Sequence, residues 1–171
     1  NPKDILTFSR MLECSGVEAL IIHARTYKQL FSGKPDWDMV YKVKKQLRIP
    51  VILNGGIESV EDYQRVDQNQ VDGVMLARGT WGKPWIFNEI KNPRNKMQDT
   101  ITKQYIDFIK KTILEHAKLS YQLKGDHGII ELRKHLAWYF HGMPKSKNIR
   151  EQLVKVNTIK EIKSILRVYK A

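Results

Sequence analysis

The sequence predicts an α/β fold for its first half and an all-α fold for its second half. Short apolar runs such as Val51–Leu53 have the composition of strands buried on both faces. Helical patterns of about three turns separate these runs, and a βαβαβ order favours parallel strands with right-handed crossovers. Beyond residue 99 the strand signal ends, and apolar residues recur at the helical spacing.

In the first half, glycines and capping residues mark where the elements begin and end. Gly16 suits the end of the first helix, Asp36 suits the start of the second, and Ser59 with Asp62 resembles a capping box. The predicted elements are a helix at 2–14, a strand at 18–23, a helix at 37–47, a strand at 50–53, a helix after Ser59, a strand at 73–76 and a short helix at 81–90.

In the second half, the pattern predicts four helices around one apolar core. Gly125 and Gly128 bracket a break between the first two of them. The predicted helices are 99–123, 129–140, 146–156 and 158–169, which together form a small helical bundle.

Three parallel strands are too few for a closed fold. A (β/α)8 TIM barrel has eight strands in about 250 residues, so five units are expected upstream. The fold prediction is therefore the C-terminal part of a TIM barrel followed by a helical bundle. The predicted domains are residues 1–91 for the last three β/α units, 92–98 for a linker and 99–171 for the helical domain.

Two glycine-containing loops follow the second and third strands. The first contains Asn54, Gly55 and Gly56, and the second contains Ala77, Arg78 and Gly79. Glycine lets main-chain N–H groups approach an anion closely, and arginine adds a fixed cation. The pair predicts a phosphate site of the kind found after the last strands of a TIM barrel. The alternative is that each loop is a turn that needs glycine.

Charge is distributed unevenly along the chain. Residues 1–91 hold 13 basic and 11 acidic side chains, whereas residues 92–171 hold 17 and 7, a net charge of +10. This asymmetry favours a polyanionic partner for the second half, unless a generally basic composition explains it.

Apolar runs are shorter than the roughly 20 residues of a membrane span, and Cys14 is the single cysteine. We expect a cytoplasmic monomer without a membrane segment, a disulfide or a metal cluster.

Six motifs resemble the tRNA-dihydrouridine synthase family, most closely its bacterial B-type. They occur in the family's order and spacing across almost the whole chain. The motifs are HART (23–26), SGKPDW (32–37), IPVILNGGI (49–57), DGVMLARG (72–79), GKPWIF (82–87) and RKHLAWYFHGMP (133–144).

The resemblance implies a flavin enzyme that reduces uridine to 5,6-dihydrouridine in tRNA, with NADPH reducing the FMN cofactor. Asn54, Gly55 and Gly56 match the loop that holds the FMN phosphate, and Ala77 and Arg78 match a Gly-Arg pair at the same phosphate. His23 matches a histidine that faces the flavin. The family commonly has an acidic residue at position 56 and a glycine at position 77, and backbone contacts would tolerate both differences.

The same resemblance implies a tRNA contact at Arg25 and in the helical domain at Arg133, Lys134 and His135. For these residues a solvated charged surface is the alternative. The family's catalytic cysteine lies upstream of this chain, and we interpret Cys14 as a packing residue rather than its replacement. We therefore expect this segment alone to bind FMN weakly and not to reduce uridine.

Three further interpretations remain open. Trp37, Trp81 and Trp85 are expected to pack in the interior more often than to stack on a base. Another FMN- or phosphate-binding TIM-barrel oxidoreductase would explain residues 1–91 but not the basic helices. An RNA-binding module without catalysis would show salt-sensitive tRNA affinity and no flavin.

Overall fold

The computed structural model describes residues 2–30, 32–93 and 101–169, and the side chains from residue 4 onwards within those ranges. These residues form two compact units. The first unit consists of Asn1–Thr80 and Ile86–Pro93, and the second consists of Trp81–Trp85 and Arg94–Ala171. Residues 94–98 of the predicted linker, and the predicted helix start at Asp99, lie outside the described residues.

A three-stranded parallel sheet forms the centre of the first unit. The strands are β1 (Leu20–His23), β2 (Val51–Asn54) and β3 (Gly73–Met75), in the order β1-β2-β3. His23 pairs in register with Asn54, and Asn54 pairs with Met75. The predicted α/β class and parallel order are confirmed, and the register brings the carboxyl ends of all three strands to one edge.

Four helices accompany the sheet, and their ends follow the predicted caps. They are α1 (Pro2–Cys14), α2 (Trp37–Gln46), α3 (Val60–Gln64) and α4 (Ile86–Lys91). The Asp36 carboxylate accepts a hydrogen bond from the Met39 N–H, and Ser59 forms a reciprocal capping box with Asp62. Gly16 has a φ of +91°, as a glycine that ends a helix requires.

The core of the first unit lies between the sheet and α2, where Val43, Val51 and Leu53 are fully buried. Asp72 joins these layers at the opposite end of the strands from the glycine loops. Its carboxylate accepts 2.7 Å contacts from the Lys44 ammonium and the Val51 N–H, which together hold the pKa of Asp72 below its usual value.

Cys14 lies at the end of α1 and is exposed. The interpretation of Cys14 as a packing residue is therefore wrong for this structure. The cause is its position at the last residue of the helix, where the side chain lies outside the apolar stripe that Ile5 presents to the core.

The described part of the second unit is built from helices. They are α5 (Lys103–Trp138), α6 (Ser146–Leu153) and α7 (Ile159–Val168). The predicted break in α5 is present at Gly125, which has a φ of +59° and a ψ of −146°. The two arms of α5, the parts on either side of Gly125, pack with α6 and α7 around a shared core. Its fully buried members include Ile109, Ile113, Ile129, Leu136, Phe140, Leu153 and Ile162.

The predicted helix at 81–90 differs from the observed structure. A short 3-10 turn at Arg78–Thr80 comes first, and α4 begins only at Ile86. Gly82, with a φ of +71°, and Pro84 interrupt the helix between them. Residues 81–85 pack in the second unit, because the Trp85 ring contacts those of Tyr105, Phe108 and Tyr139.

None of the helices in the described ranges combines the length and apolar character that a membrane crossing requires.

His116 makes the stability of the second unit sensitive to acid. Its Nδ1 lies 3.1 Å from the Tyr139 hydroxyl, and burial, together with the charge of nearby His135, lowers the pKa of His116. The unfolded chain therefore takes up this proton at a higher pH than the folded chain, so stability falls as the pH drops below about 6.5. We expect a lower thermal unfolding midpoint at about pH 5.5 than at about pH 7.5.

The comparison that checks this expectation uses two variants in the same unfolding assay. His116→Gln should reduce the pH dependence, whereas His127→Gln, at an exposed histidine, should retain it. Equal pH dependence in wild type and His116→Gln would contradict the role of His116.

Candidate functional site

A polar ladder, consisting of His23, Asn54 and the Met75 carbonyl, crosses the carboxyl ends of the three strands. The His23 Nδ1 lies 2.7 Å from the Asn54 Oδ1, and the Asn54 Nδ2 donates to the Met75 carbonyl at 3.0 Å. The structure thus brings together two of the predicted cofactor residues, which are 31 positions apart in the chain. They lie where parallel strands carry their ligands.

The ladder determines which nitrogen of His23 is available to a ligand. Because the Asn54 amide donates to Met75, its oxygen faces His23 and accepts a hydrogen bond. The His23 Nδ1 is therefore the protonated nitrogen, and in the neutral ring Nε2 is left as an acceptor. His23 is exposed, so Nε2 can accept a hydrogen bond from a bound molecule or, when protonated, donate one.

Glycine is required at both positions that follow Asn54. Gly55 has a φ of +106°, and a Cβ there would lie 3.0 Å from the His23 ring. The Gly55 carbonyl accepts a 3.0 Å hydrogen bond from the Trp37 indole N–H. Gly56 has a φ of +76°, and a Cβ there would lie 2.4 Å from the Pro35 Cγ. Pro35 thus occupies the space of a side chain at position 56, which leaves the backbone of this loop to make any contact.

The second glycine-containing loop packs directly against the first. Gly79 is buried, and a Cβ there would lie 2.8 Å from the Glu58 Cα and 2.9 Å from the Ile57 carbonyl oxygen. An ion pair joins the Arg78 guanidinium to the Glu58 carboxylate at 2.8 Å. The second loop therefore packs on the residues that directly follow the first loop, and Arg78 is held beside Glu58.

The first loop has main-chain donors that the protein itself leaves unused. In the described part of the chain, the N–H groups of Gly55 and Gly56 have no hydrogen-bond partner. Successive N–H groups in a turn form a concave site for an anion. This donor set fits a phosphate group.

Arg25 lies beside His23 in a groove of about 520 Å³ that both residues line. Its Nε and one terminal nitrogen, Nη2, donate to the Gly33 carbonyl, each at 3.3 Å. The other terminal nitrogen, Nη1, is buried and has no partner among the described residues. Arg25 is therefore not a solvated loop charge, and its unsatisfied donor favours an acceptor supplied by a ligand.

The predicted tRNA residues of the second unit differ in their surroundings. Arg133 donates to the Val156 carbonyl and to the Asn157 side chain, both at 2.7 Å, and so connects α5 to the loop before α7. Lys134 and His135 are exposed. Arg133 thus has a structural role that the sequence pattern did not reveal, and Lys134 offers a positive charge at the surface.

The tryptophans fall into two groups. Trp37 donates to Gly55, and Trp85 packs on the second core, so both are half-buried packing residues, as expected. Trp81 and Trp138 are 41% and 38% exposed, so Trp81 packs against Trp138 but also keeps an exposed surface. Its neighbour Gly82 has a backbone conformation that turns the chain there.

Sequence reasoning missed Glu58 and the exposed aromatic residues near Trp138. The signal for Glu58 was weak, because a single acidic residue after a glycine loop is common on protein surfaces.

No cluster of His, Cys, Asp or Glu side chains suited to a metal ion occurs in the ranges that the structure describes.

Comparison with known proteins gives a consistent result. The sequence model of the dihydrouridine synthase family matches residues 1–171. The "Probable tRNA-dihydrouridine synthase 1" of Synechocystis is 34% identical over 168 residues, covering 95% of this chain and 46% of that protein.

Two further relatives agree. A "Probable tRNA-dihydrouridine synthase" of Mycobacterium tuberculosis is 34% identical over 94% of this chain and 42% of its own length. The "tRNA-dihydrouridine synthase B" of Pseudomonas putida is 33% identical over 86% of this chain and 44% of its own length. The chain therefore spans about half the length of the curated relatives it matches.

Proposed function

The chain belongs to the dihydrouridine synthase family, and we propose that it forms the FMN-phosphate side and a tRNA-binding unit of an enzyme that reduces uridine to 5,6-dihydrouridine in tRNA. NADPH is the proposed reductant. The observation that carries the proposal is that the second loop packs on the residues that directly follow the first loop, with Arg78 ion-paired to Glu58 and the Gly55 and Gly56 N–H groups unused.

In this proposal, residues of the first unit bind FMN. The N–H groups of Gly55 and Gly56 and the Arg78 guanidinium bind its phosphate, while Ala77 contributes backbone only. His23 would contact the flavin through Nε2. Bound FMN supplies the hydride that reduces the uracil ring. Asn54 orients His23, because its amide is held by the Met75 carbonyl.

Arg25 and the second unit are the proposed tRNA contacts. The net charge of +10 over residues 92–171 supports an electrostatic contact with the phosphate backbone. Lys134 is the main candidate in α5 because it is exposed, with His135 beside it and Arg133 supporting the helix ends. Since the uridine must leave the base stack to be reduced, at a cost of a few kcal/mol, such contacts help to offset that cost.

The family match over both units favours this proposal over a small-metabolite enzyme, which would leave the basic helices without a role. We further propose that this 171-residue segment does not reduce uridine by itself, because the acid that protonates the base is expected on an upstream cysteine. Oxidation of NADPH by the purified segment that depends on tRNA would refute this part.

Arg78→Ala should reduce the preference of the protein for FMN over riboflavin, which lacks the phosphate. A hydrogen bond to a charged group contributes about 1.5–3 kcal/mol, so FMN affinity should fall by roughly 10- to 100-fold while riboflavin affinity stays constant. The quenching of flavin fluorescence on titration with protein measures both affinities.

Arg65→Ala is the matched control, because Arg65 is also ion-paired to an acidic side chain of the first unit but lies at the end of α3. It should bind both flavins as wild type does. Equal affinity of the wild-type protein for FMN and riboflavin would exclude the phosphate site.

Lys134→Ala should weaken tRNA binding and reduce its dependence on salt. Each lost phosphate contact lowers the slope of log affinity against log salt concentration by about 1. Fluorescence anisotropy with a labelled tRNA at several salt concentrations measures the slope. Lys42→Ala, at an exposed lysine of α2, is the control; an unchanged slope in Lys134→Ala would contradict the contact.

A further inference from the structure

A small aromatic pocket lies in the second unit, apart from the residues assigned to the flavin. Its volume is about 230 Å³, and the residues that line it include Trp81, Lys83, Tyr105, Trp138, His141 and Met143. Ligand sites for whole small molecules usually occupy about 300–1,000 Å³. The pocket therefore suits a single flat ring with its attached chain outside.

Three aromatic rings form one wall of this pocket. The ring centroids of Trp81 and Trp138 are 5.1 Å apart, and those of Trp138 and His141 are 5.0 Å apart with planes inclined by 33°. Both tryptophans keep about two fifths of their surface exposed. Large aromatic side chains that remain exposed together mark a binding surface more often than a packing defect.

The backbone holds Trp81 in this position. Gly82 has a φ of +71°, and a Cβ there would lie 2.4 Å from the Trp138 carbonyl oxygen. This close contact between two main-chain segments places Trp81 against Trp138 before any ligand arrives. A preformed aromatic surface loses little entropy when it binds a ring.

The chemistry around the rings narrows the class of ligand. Lys83 and His141 line the same pocket, and the chain is strongly basic from residue 92 onwards. Aromatic rings next to positive charges are the usual arrangement for an unpaired nucleobase, which stacks on the rings while its phosphates contact the cations. An uncharged aromatic ligand would not need the basic surroundings.

We propose that the Trp81–Trp138 pocket binds one unstacked nucleobase of the tRNA, distinct from the uridine that is reduced. This inference rests on the proposed function and adds to it a contact with RNA that depends on base stacking. Stacking releases no counterions, so this contact contributes affinity that is independent of salt, unlike that of Lys134.

The test compares Trp81→Ala with Trp81→Phe in the 171-residue chain, using a labelled tRNA and a blunt-ended RNA duplex of similar length as probes. Trp81→Ala should bind tRNA about 10-fold more weakly, with an unchanged salt slope, and should bind the duplex as wild type does. Trp81→Phe retains a ring and should recover most of the affinity. Equal tRNA affinity in wild type and Trp81→Ala would overturn the inference.

A second measurement tests the pocket without relying on tRNA binding or on a variant that folds. A short single-stranded RNA containing 2-aminopurine should lose fluorescence when its base stacks in the wild-type pocket. Quenching in a wild type that shows no preference for tRNA would support the pocket and refute the proposed tRNA contact. Absence of quenching would refute the pocket, whatever the affinity for tRNA.

Discussion

Gly128→Ala is expected to separate the two arms of α5 and to cause the largest loss of stability in the second unit. Gly128 is buried where the arms cross, and a Cβ there would lie 2.3 Å from the Ser120 carbonyl oxygen and 2.9 Å from its hydroxyl. Both atoms belong to the other arm of α5, and the backbone oxygen cannot move without displacing that arm. Overpacking of this kind costs about 1–3 kcal/mol or more.

Thermal unfolding followed by circular dichroism measures this effect. For a unit of this size, each kcal/mol should lower the unfolding midpoint by about 4–8 °C. Ser120→Ala is the matched control, because it removes only the 2.9 Å hydrogen bond from the Ser120 hydroxyl to the Gly128 carbonyl. That variant should lose roughly 1 kcal/mol. A Gly128→Ala midpoint equal to that of wild type would show that the arms do not cross as closely as described.

Gly79→Ala is expected to disrupt the phosphate site from within. The added methyl group would collide with backbone atoms of Ile57 and Glu58, so the two glycine-containing loops must move apart. Arg78 and Glu58, now 2.8 Å apart, would be displaced relative to the N–H groups of Gly55 and Gly56. FMN affinity should then fall at least as far as in Arg78→Ala, and the unfolding midpoint should fall as well.

Gly73→Ala is the control for this change. Gly73 lies in β3 of the same sheet, and a Cβ there would meet only the end of the Ile52 side chain, at 2.9 Å. Because that side chain can change its rotamer, the cost should be small. If Gly73→Ala and Gly79→Ala bind FMN equally well, the contact between the loops does not support the phosphate site.

Local patterns in the sequence were sufficient to predict most elements of the first unit, with α4 as the exception. The capping box of Ser59 and Asp62, the cap at Asp36 and the parallel order of the strands were all confirmed. Strand bounds differed by one or two residues, as for β1, which begins at Leu20 rather than Glu18. Such features depend on neighbouring residues, so a single sequence contains most of what determines them.

Contacts between distant residues were not predictable in the same way. The sequence showed that His23 and Asn54 are polar. It did not show that Asn54 orients His23, nor that the Met75 carbonyl holds the Asn54 amide. Arg133 looked like a surface cation and instead holds the loop at Val156 and Asn157. These partners are 21 or more positions apart, so no periodicity relates them.

The sequence by itself determined the family, the α/β class of the first unit and the two glycine-containing loops, because motifs and hydrophobic periods are properties of short segments. Only the tertiary structure decided how these segments meet: that Gly79 joins the two loops, that Pro35 replaces a side chain at Gly56, and that Trp81 lies exposed against Trp138. The physical reason is close packing, which fixes atoms from remote segments within a few ångströms of one another. That proximity depends on the whole chain and is not encoded in any one stretch.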